Sequence, residues 1–190
     1  IMSQQLQAQI LLITDRPLAP YSGMLPGLIA GDYTYDQAHI DLRRLCHRHG
    51  VNLIIDEVMK IEPHRKEISL KRRPAIRYDL ASINVGGQTP LDAISDPHER
   101  LIAVKPMHQF MDRLISLEKH GIPDQIAIIG AGAAGIEVAF ALNDRWHQRS
   151  KIHLVHRGQT LLQERGWRAH NMVKLALKQA GIDLHLGRDV

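Results

Sequence analysis

Hydrophobic positions along the chain alternate between short solid runs and longer helical spacings, punctuated by proline and glycine. Residues 9–13, Gln-Ile-Leu-Leu-Ile, form an apolar run stopped by Thr14, Asp15, Arg16 and Pro17, the pattern of a strand buried on both faces. A turn-rich stretch follows, Pro20-Tyr21-Ser22-Gly23-Met24-Leu25-Pro26-Gly27. Over 36–49 the apolar positions Ala38, Ile40, Leu42, Leu45 and Cys46 predict a helix with Gly50 as its C-terminal stop. Runs of β-formers then recur at 51–55, 58–61, 67–70 and 75–78, separated by Pro63-His64-Arg65 and Arg72-Arg73-Pro74. They predict one strand followed by a small antiparallel meander. A further strand is predicted over 82–85, entering Gly86 and Gly87, and 88–100 reads as polar connector.

From Pro106 the period changes. Met107, Phe110, Met111, Leu114 and Ile115 recur at three- and four-residue steps, predicting a helix ended by Gly121-Ile122-Pro123. Residues 125–129 form a buried strand that runs into Gly130-Ala131-Gly132-Ala133-Ala134-Gly135 and an alanine-rich helix through Leu142. Strand 151–155, a helix over 168–180 and strand 182–186 follow, giving three strands and two helices of a parallel unit. The class is therefore α/β, with the main boundary in the polar connector.

Composition narrows the function classes. With 190 residues, 44% hydrophobic and 23% charged, the chain has enough apolar surface for a core, and its net charge of +4 excludes a polyelectrolyte. The basic runs Arg43-Arg44 and Lys71-Arg72-Arg73 are short and lack interleaved aromatics, so no nucleic-acid partner is predicted. One cysteine, Cys46, excludes an intrachain disulfide and a cysteine-rich metal centre, which points to a reducing, cytoplasmic setting. On its predicted helix it reads as a buried structural thiol. No apolar run reaches the ~18 residues that span a bilayer. Twelve histidines raise the question of a metal, but His47 and His49 face differently on a helix, His153 and His156 point to opposite faces of a strand, and no His-Glu-x-x-His arrangement occurs. No metal site and no catalytic side chain are assigned. The chain opens on Ile1 with its first methionine at position 2, the expectation being a piece of something longer.

The motif that carries chemistry is Gly130-x-Gly132-x-x-Gly135, which follows an apolar strand, opens a helix and sits in a βαβ unit. Gly130 permits the tight turn, Gly132 lets backbone approach a pyrophosphate, and Gly135 lets the helix lie close on the sheet. The backbone N–H groups over Ala133 and Ala134 would then meet phosphate at the positive helix end. A glycine turn that only packs is the alternative. Where a ribose-binding carboxylate is expected, ~20 residues on, stand His156 and Arg157. An arginine there pairs with a 2′-phosphate, so NADP(H) is tolerated or preferred, unless Arg157 is simply a solvated strand-end residue; Arg165 and Arg168 are equally placed to contribute.

Two stretches, 20–27 and 126–137, resemble the flavin-dependent pyridine nucleotide-disulfide oxidoreductase superfamily, in particular its NADH dehydrogenase-like branch, some of whose members are associated with selenide, water dikinase. The resemblance implies a Rossmann-like three-layer FAD/NAD(P)-binding fold, with residues 1–104 a partial FAD-binding domain and 105–190 the start of an inserted NAD(P)-binding domain. It implies FAD and NAD(P)H as cofactors and hydride transfer from nicotinamide to flavin, then to a small-molecule acceptor such as a quinone. A homodimer and peripheral membrane contact are further implications. Carried over by position, Glu137 matches an acidic residue near the nicotinamide and Asp15 the FAD ribose position. Ser22 and Pro26 match a loop along the flavin, and Val58 an adenine backbone contact. Gly86 matches the return toward the flavin, and Lys105 the crossover between domains. Residues 1–9 contain no glycine, so the first strand and loop of the FAD domain are missing from this expectation, and the chain is expected to be an internal piece, with an inert fragment as one alternative. A non-catalytic NAD(P)-binding module is the alternative from a different class; another Rossmann enzyme, such as a methyltransferase, fits less well because of the meander and Glu137.

Overall fold

The computed structural model of the chain describes residues 8–89, 100–147 and 149–189; most of the predicted connector over 88–100 lies outside them. In chain order the elements are β1 (Leu11–Thr14), β2 (Leu18–Pro20), α1 (Leu25–Ala30), β3 (His39–Asp41), α2 (Leu42–His49), β4 (Asn52–Ile55), β5 (Val58–Glu62), β6 (Glu67–Leu70), β7 (Ile76–Arg77), α3 (Met107–His120), β8 (Gln125–Ile129), α4 (Ala133–Arg145), β9 (Lys151–His156), α5 (Gly166–Gln179) and β10 (Asp183–Leu186). They divide into two compact units, Ile1–Tyr21 with His39–Gly86, and Ser22–Ala38 with Gly87–Val190.

In the first unit β1 and β4 pair in parallel, Leu11 opposite Asn52 through Thr14 opposite Ile55. Having β4 as its one partner among the described residues, β1 keeps Leu11 36% exposed, so the expectation of burial on both faces does not hold. The meander is present, β5, β6 and β7 running antiparallel in that order. Its attachment is electrostatic: the buried Asp56 carboxylate, just past β4, accepts hydrogen bonds from the backbone N–H of Glu57 at 2.8 Å and of Arg72 at 3.2 Å. Burial pushes this carboxyl's pKa up, but those N–H groups and the Arg72 guanidinium outweigh it and hold the group below its ordinary value.

Three expected elements differ. The helix predicted over 36–49 is a strand followed by a shorter helix, because the Asp41 side chain accepts from the N–H groups of Arg43 and Arg44 at 3.0 and 3.2 Å and so caps α2 in mid-prediction. Residues ahead of that cap pair with β2 as the antiparallel strand β3. The strand predicted over 82–85 does not form; Val85 is 83% exposed and no strand pairs with it among the described residues. The turn-rich stretch 20–27 contains a 3-10 turn at Ser22–Met24 leading into α1, whose Leu28 and Ile29 are buried. Cys46 is buried on α2.

The second unit holds the main core. Its sheet has the order β10-β9-β8, all parallel, with α4 and α5 as the connections. Met107, Phe110, Met111 and Leu114 of α3 are buried at the spacing read from the sequence, and they join Ile29, Ile136, Leu142, Trp146, Leu154 and Leu177 in one cluster. Glu118 ties the helices together: Arg145 donates to it through Nε at 2.6 Å and Nη2 at 2.9 Å, and Trp146 Nε1 donates at 2.8 Å. The third donor of Arg145, Nη1, reaches the carbonyl of Ile29 at the end of α1 at 2.8 Å.

Candidate functional site

The glycine loop sits at the C-terminal end of β8. Gly130 has φ +103°, a conformation in which any side chain is strained, and its N–H donates to the Val155 carbonyl of β9 at 2.8 Å, holding the turn on the sheet. Gly135 lies in the first turn of α4, where an added Cβ would stand 1.8 Å from the Gly130 carbonyl oxygen. Only glycine lets α4 start this close to the strand end. Gly132, the N-cap, differs from both: its φ is −72°, and a Cβ there would meet nothing of this chain within 4 Å. The missing side chain at 132 serves no contact inside the protein, so the space it leaves is available to a ligand. No side chain caps α4 and no acidic residue lies in its first turn, which leaves the positive end of the dipole to an outside anion. Gly132, Ala133 and Ala134 are exposed at this opening, and Glu137, one turn beyond Ala133, is exposed as well. These residues fit a pyrophosphate.

His156 ends β9 with its ring against the loop, Nδ1 lying 3.4 Å from the Ala131 backbone N–H and placed to accept from it. The ring therefore supports the loop from below. Gly158, which the sequence reading passed over, is part of the same arrangement, since a Cβ there would stand 2.7 Å from His156 Nε2. A glycine two residues past a strand end was its only trace in the sequence. Arg157 is exposed at the strand end.

Of the positions associated with FAD, Asp15, Val58 and Gly86 belong to the first unit, and Ser22, Pro26 and Lys105 to the second. Asp15 and Val58 both follow the C-terminal ends of the parallel neighbours β1 and β4, which are joined there by a 2.8 Å hydrogen bond from the Asp56 N–H to the Thr14 carbonyl. Ligands of open parallel sheets bind at such ends, so an acidic side chain at 15 fits a ribose. Asp15 also accepts from the Arg16 guanidinium at 2.9 Å, an exposed pair that a ligand hydroxyl can displace at little cost. Gly86 has φ +72° in an exposed segment, Ser22 opens the 3-10 turn, Pro26 lies in the first turn of α1, and exposed Lys105 precedes Pro106, the N-cap of α3.

A parallel sheet whose first strand enters a Gly-x-Gly-x-x-Gly turn and an uncapped helix defines a Rossmann-like dinucleotide-binding protein. Residues 1–190 match the pyridine nucleotide-disulphide oxidoreductase family throughout, and the chain belongs to that family. It is 26% identical over 162 residues, 81% of its length, to demethylphylloquinone reductase NdbB of Synechocystis sp., of which it spans 40%. Its fold is that of the ferredoxin reductase for the CYP199A2 system of Rhodopseudomonas palustris, with a TM-score of 0.80 over 98% of this chain and 46% of that one at 17% identity. The NDH2 of Plasmodium falciparum, solved with NADH, superposes with a TM-score of 0.70 over 94% of this chain and 43% of that one at 16% identity.

Proposed function

We propose that the chain supplies the nucleotide-binding parts of an FAD-dependent NAD(P)H oxidoreductase of the NADH dehydrogenase-like branch. The observation that carries this is the vacant Cβ direction at Gly132 beside the uncapped start of α4, in a chain that matches an oxidoreductase family from end to end. Within this reading residues 1–104 serve FAD and 105–190 serve NAD(P)H. The backbone N–H groups at Ala133 and Ala134 hold the pyrophosphate, His156 keeps the loop in shape, and Glu137 faces the nucleotide one turn further along α4. When bound, the nicotinamide supplies a hydride and the flavin accepts it. Similarity to a demethylphylloquinone reductase supports a quinone as final acceptor. Association with selenide, water dikinase, a homodimer, peripheral membrane contact and a cytoplasmic location belong to the same proposal. No helix among the described residues is long and apolar enough to cross a membrane.

The test is equilibrium titration of the chain with NADH and NADPH, followed by fluorescence, together with an absorbance spectrum for bound flavin. Saturable binding that weakens in Gly132→Ala supports the proposal. A chain that binds neither coenzyme overturns it, and a colourless chain that binds coenzyme and takes up no added flavin favours the non-catalytic module or an inert fragment.

A further inference from the structure

Away from the glycine loop, β9 and β10 bring three metal-ligating side chains together. The strands are parallel, with Asp183 in register with His153 and Leu184 with Leu154. Side chains two residues apart share a face, so Asp183 and His185 lie beside His153, opposite the face on which Ile152 and Leu154 enter the core. His153 Nδ1 is 3.1 Å from His185 Nε2 and 3.6 Å from Asp183 Oδ2, and the ligand atoms of the three residues all lie within 4.8 Å of one another.

These separations have a chemical meaning. A tetrahedral zinc ion with ligands at ~2.0–2.1 Å sets neighbouring ligand atoms ~3.3–3.4 Å apart, and the two observed distances bracket that edge. Two imidazole nitrogens facing each other at 3.1 Å require something electropositive between them. A proton shared by the imidazoles and the Lys151 ammonium on the carboxylate satisfy the three groups separately, whereas one cation can bind all three together. The other nitrogen of His153, Nε2, is buried with no hydrogen-bond partner among the described residues, so nothing there fixes which ring nitrogen keeps its proton. The Asp183 carboxylate already faces a cation, its Oδ2 lying 2.9 Å from the Lys151 ammonium. The strand backbones hold the ligands in place before any ion arrives.

We propose that His153, Asp183 and His185 form a binding site for a divalent cation of borderline softness, zinc fitting the two-imidazole, one-carboxylate set best, with a fourth position open to water or an outside ligand. The site is independent of the nucleotide-binding proposal, sharing none of its residues. Lys151 competes with the ion for Asp183, which separates this site from casual binding to surface histidines.

The experiment titrates the untagged, EDTA-stripped chain with Zn2+ against a colorimetric chelator. One equivalent is expected to bind, weakened at least about tenfold by His185→Gln and by Asp183→Asn, tightened severalfold by Lys151→Met, and unchanged by His47→Gln with His49→Gln on α2. Far-UV circular dichroism checks that each variant is folded. Should the strand variants unfold, NMR of the wild-type chain decides: zinc is expected to shift the ring resonances of two of the twelve histidines. The absence of a one-equivalent site, its survival in His153→Gln with His185→Gln, or resonance shifts spread over many histidines overturns the proposal.

Discussion

Replacing Gly135 by alanine sets two effects of opposite sign against each other. Alanine is the better helix former by about 1 kcal/mol, so propensity alone predicts a gain in stability. The tertiary structure predicts a loss, because the new Cβ would stand 1.8 Å from the Gly130 oxygen and 3.0 Å from its carbonyl carbon, both backbone atoms that no rotamer change can move. Restoring an ordinary separation of at least ~3.0 Å means shifting the loop or the start of α4 by more than an ångström. The hydrogen bonds then at risk are Gly130 N–H to Val155 and Ile136 N–H to Gly132, at 2.8 and 3.1 Å. Overpacking costs about 1–3 kcal/mol and each lost hydrogen bond about 1 kcal/mol, so after subtracting the propensity gain a net loss of at least about 2 kcal/mol is expected. In a chain of this size that lowers Tm by at least roughly 4–8 °C. Gly132→Ala is the matched control: its φ of −72° suits alanine and the Cβ meets nothing, so stability should change by less than about 0.5 kcal/mol while NADH binding weakens. Thermal unfolding by circular dichroism and NADH titration measure the two effects. A Gly135→Ala midpoint at or above that of the wild type, or an equal stability loss in Gly132→Ala, would refute the reasoning.

Three further outcomes follow from named contacts. Arg145→Met removes both bonds to Glu118 and the one to the Ile29 carbonyl, leaving a carboxylate short of partners, and should cost about 2–3 kcal/mol in urea unfolding. The Glu118 carboxyl is held below its ordinary pKa, first by Arg145, with burial opposing and Trp146 assisting. A depressed folded value means the stabilisation is complete above the unfolded pKa of ~4.3 and is lost as pH falls through the folded one, so Glu118→Gln should flatten the fall of Tm below about pH 4.5; parallel curves for the two proteins would rule this out. Arg157→Ala should weaken NADPH about tenfold in a binding titration and leave NADH unchanged, and equal effects on both would remove Arg157 from coenzyme selection.

Which features were readable in advance follows from the range of the forces that set them. Strand β8, the glycine turn and α4 were legible because each residue's role there depends on neighbours within about six positions. The buried spacing of Met107, Phe110, Met111 and Leu114 was equally local, whereas strand 125–129, expected to be buried, alternates exposed and half-buried positions because β9 is its one strand partner among the described residues. The helix over 36–49 was misjudged because apolar spacing outweighed a cap at Asp41 that becomes recognisable only once β3 has paired with β2. The strand over 82–85 has suitable side chains but no partner among the described residues, and β-structure is stable only in pairs.

By itself the sequence determined the α/β class, the glycine fingerprint and the helix that follows, since backbone freedom and hydrophobic period are properties of a local stretch. The motif already separates Gly135, needed for packing, from Gly132, open to a ligand; tertiary structure decided which atom enforces the packing, the Gly130 carbonyl oxygen aimed at the Gly135 Cβ position. It also decided that Glu118 joins α3 to Arg145 and Trp146, and through Arg145 to α1. His153 faces away from His156 on its own strand; its neighbours are Asp183 and His185, 30 and 32 residues later, and parallel strand pairing is what sets them within reach.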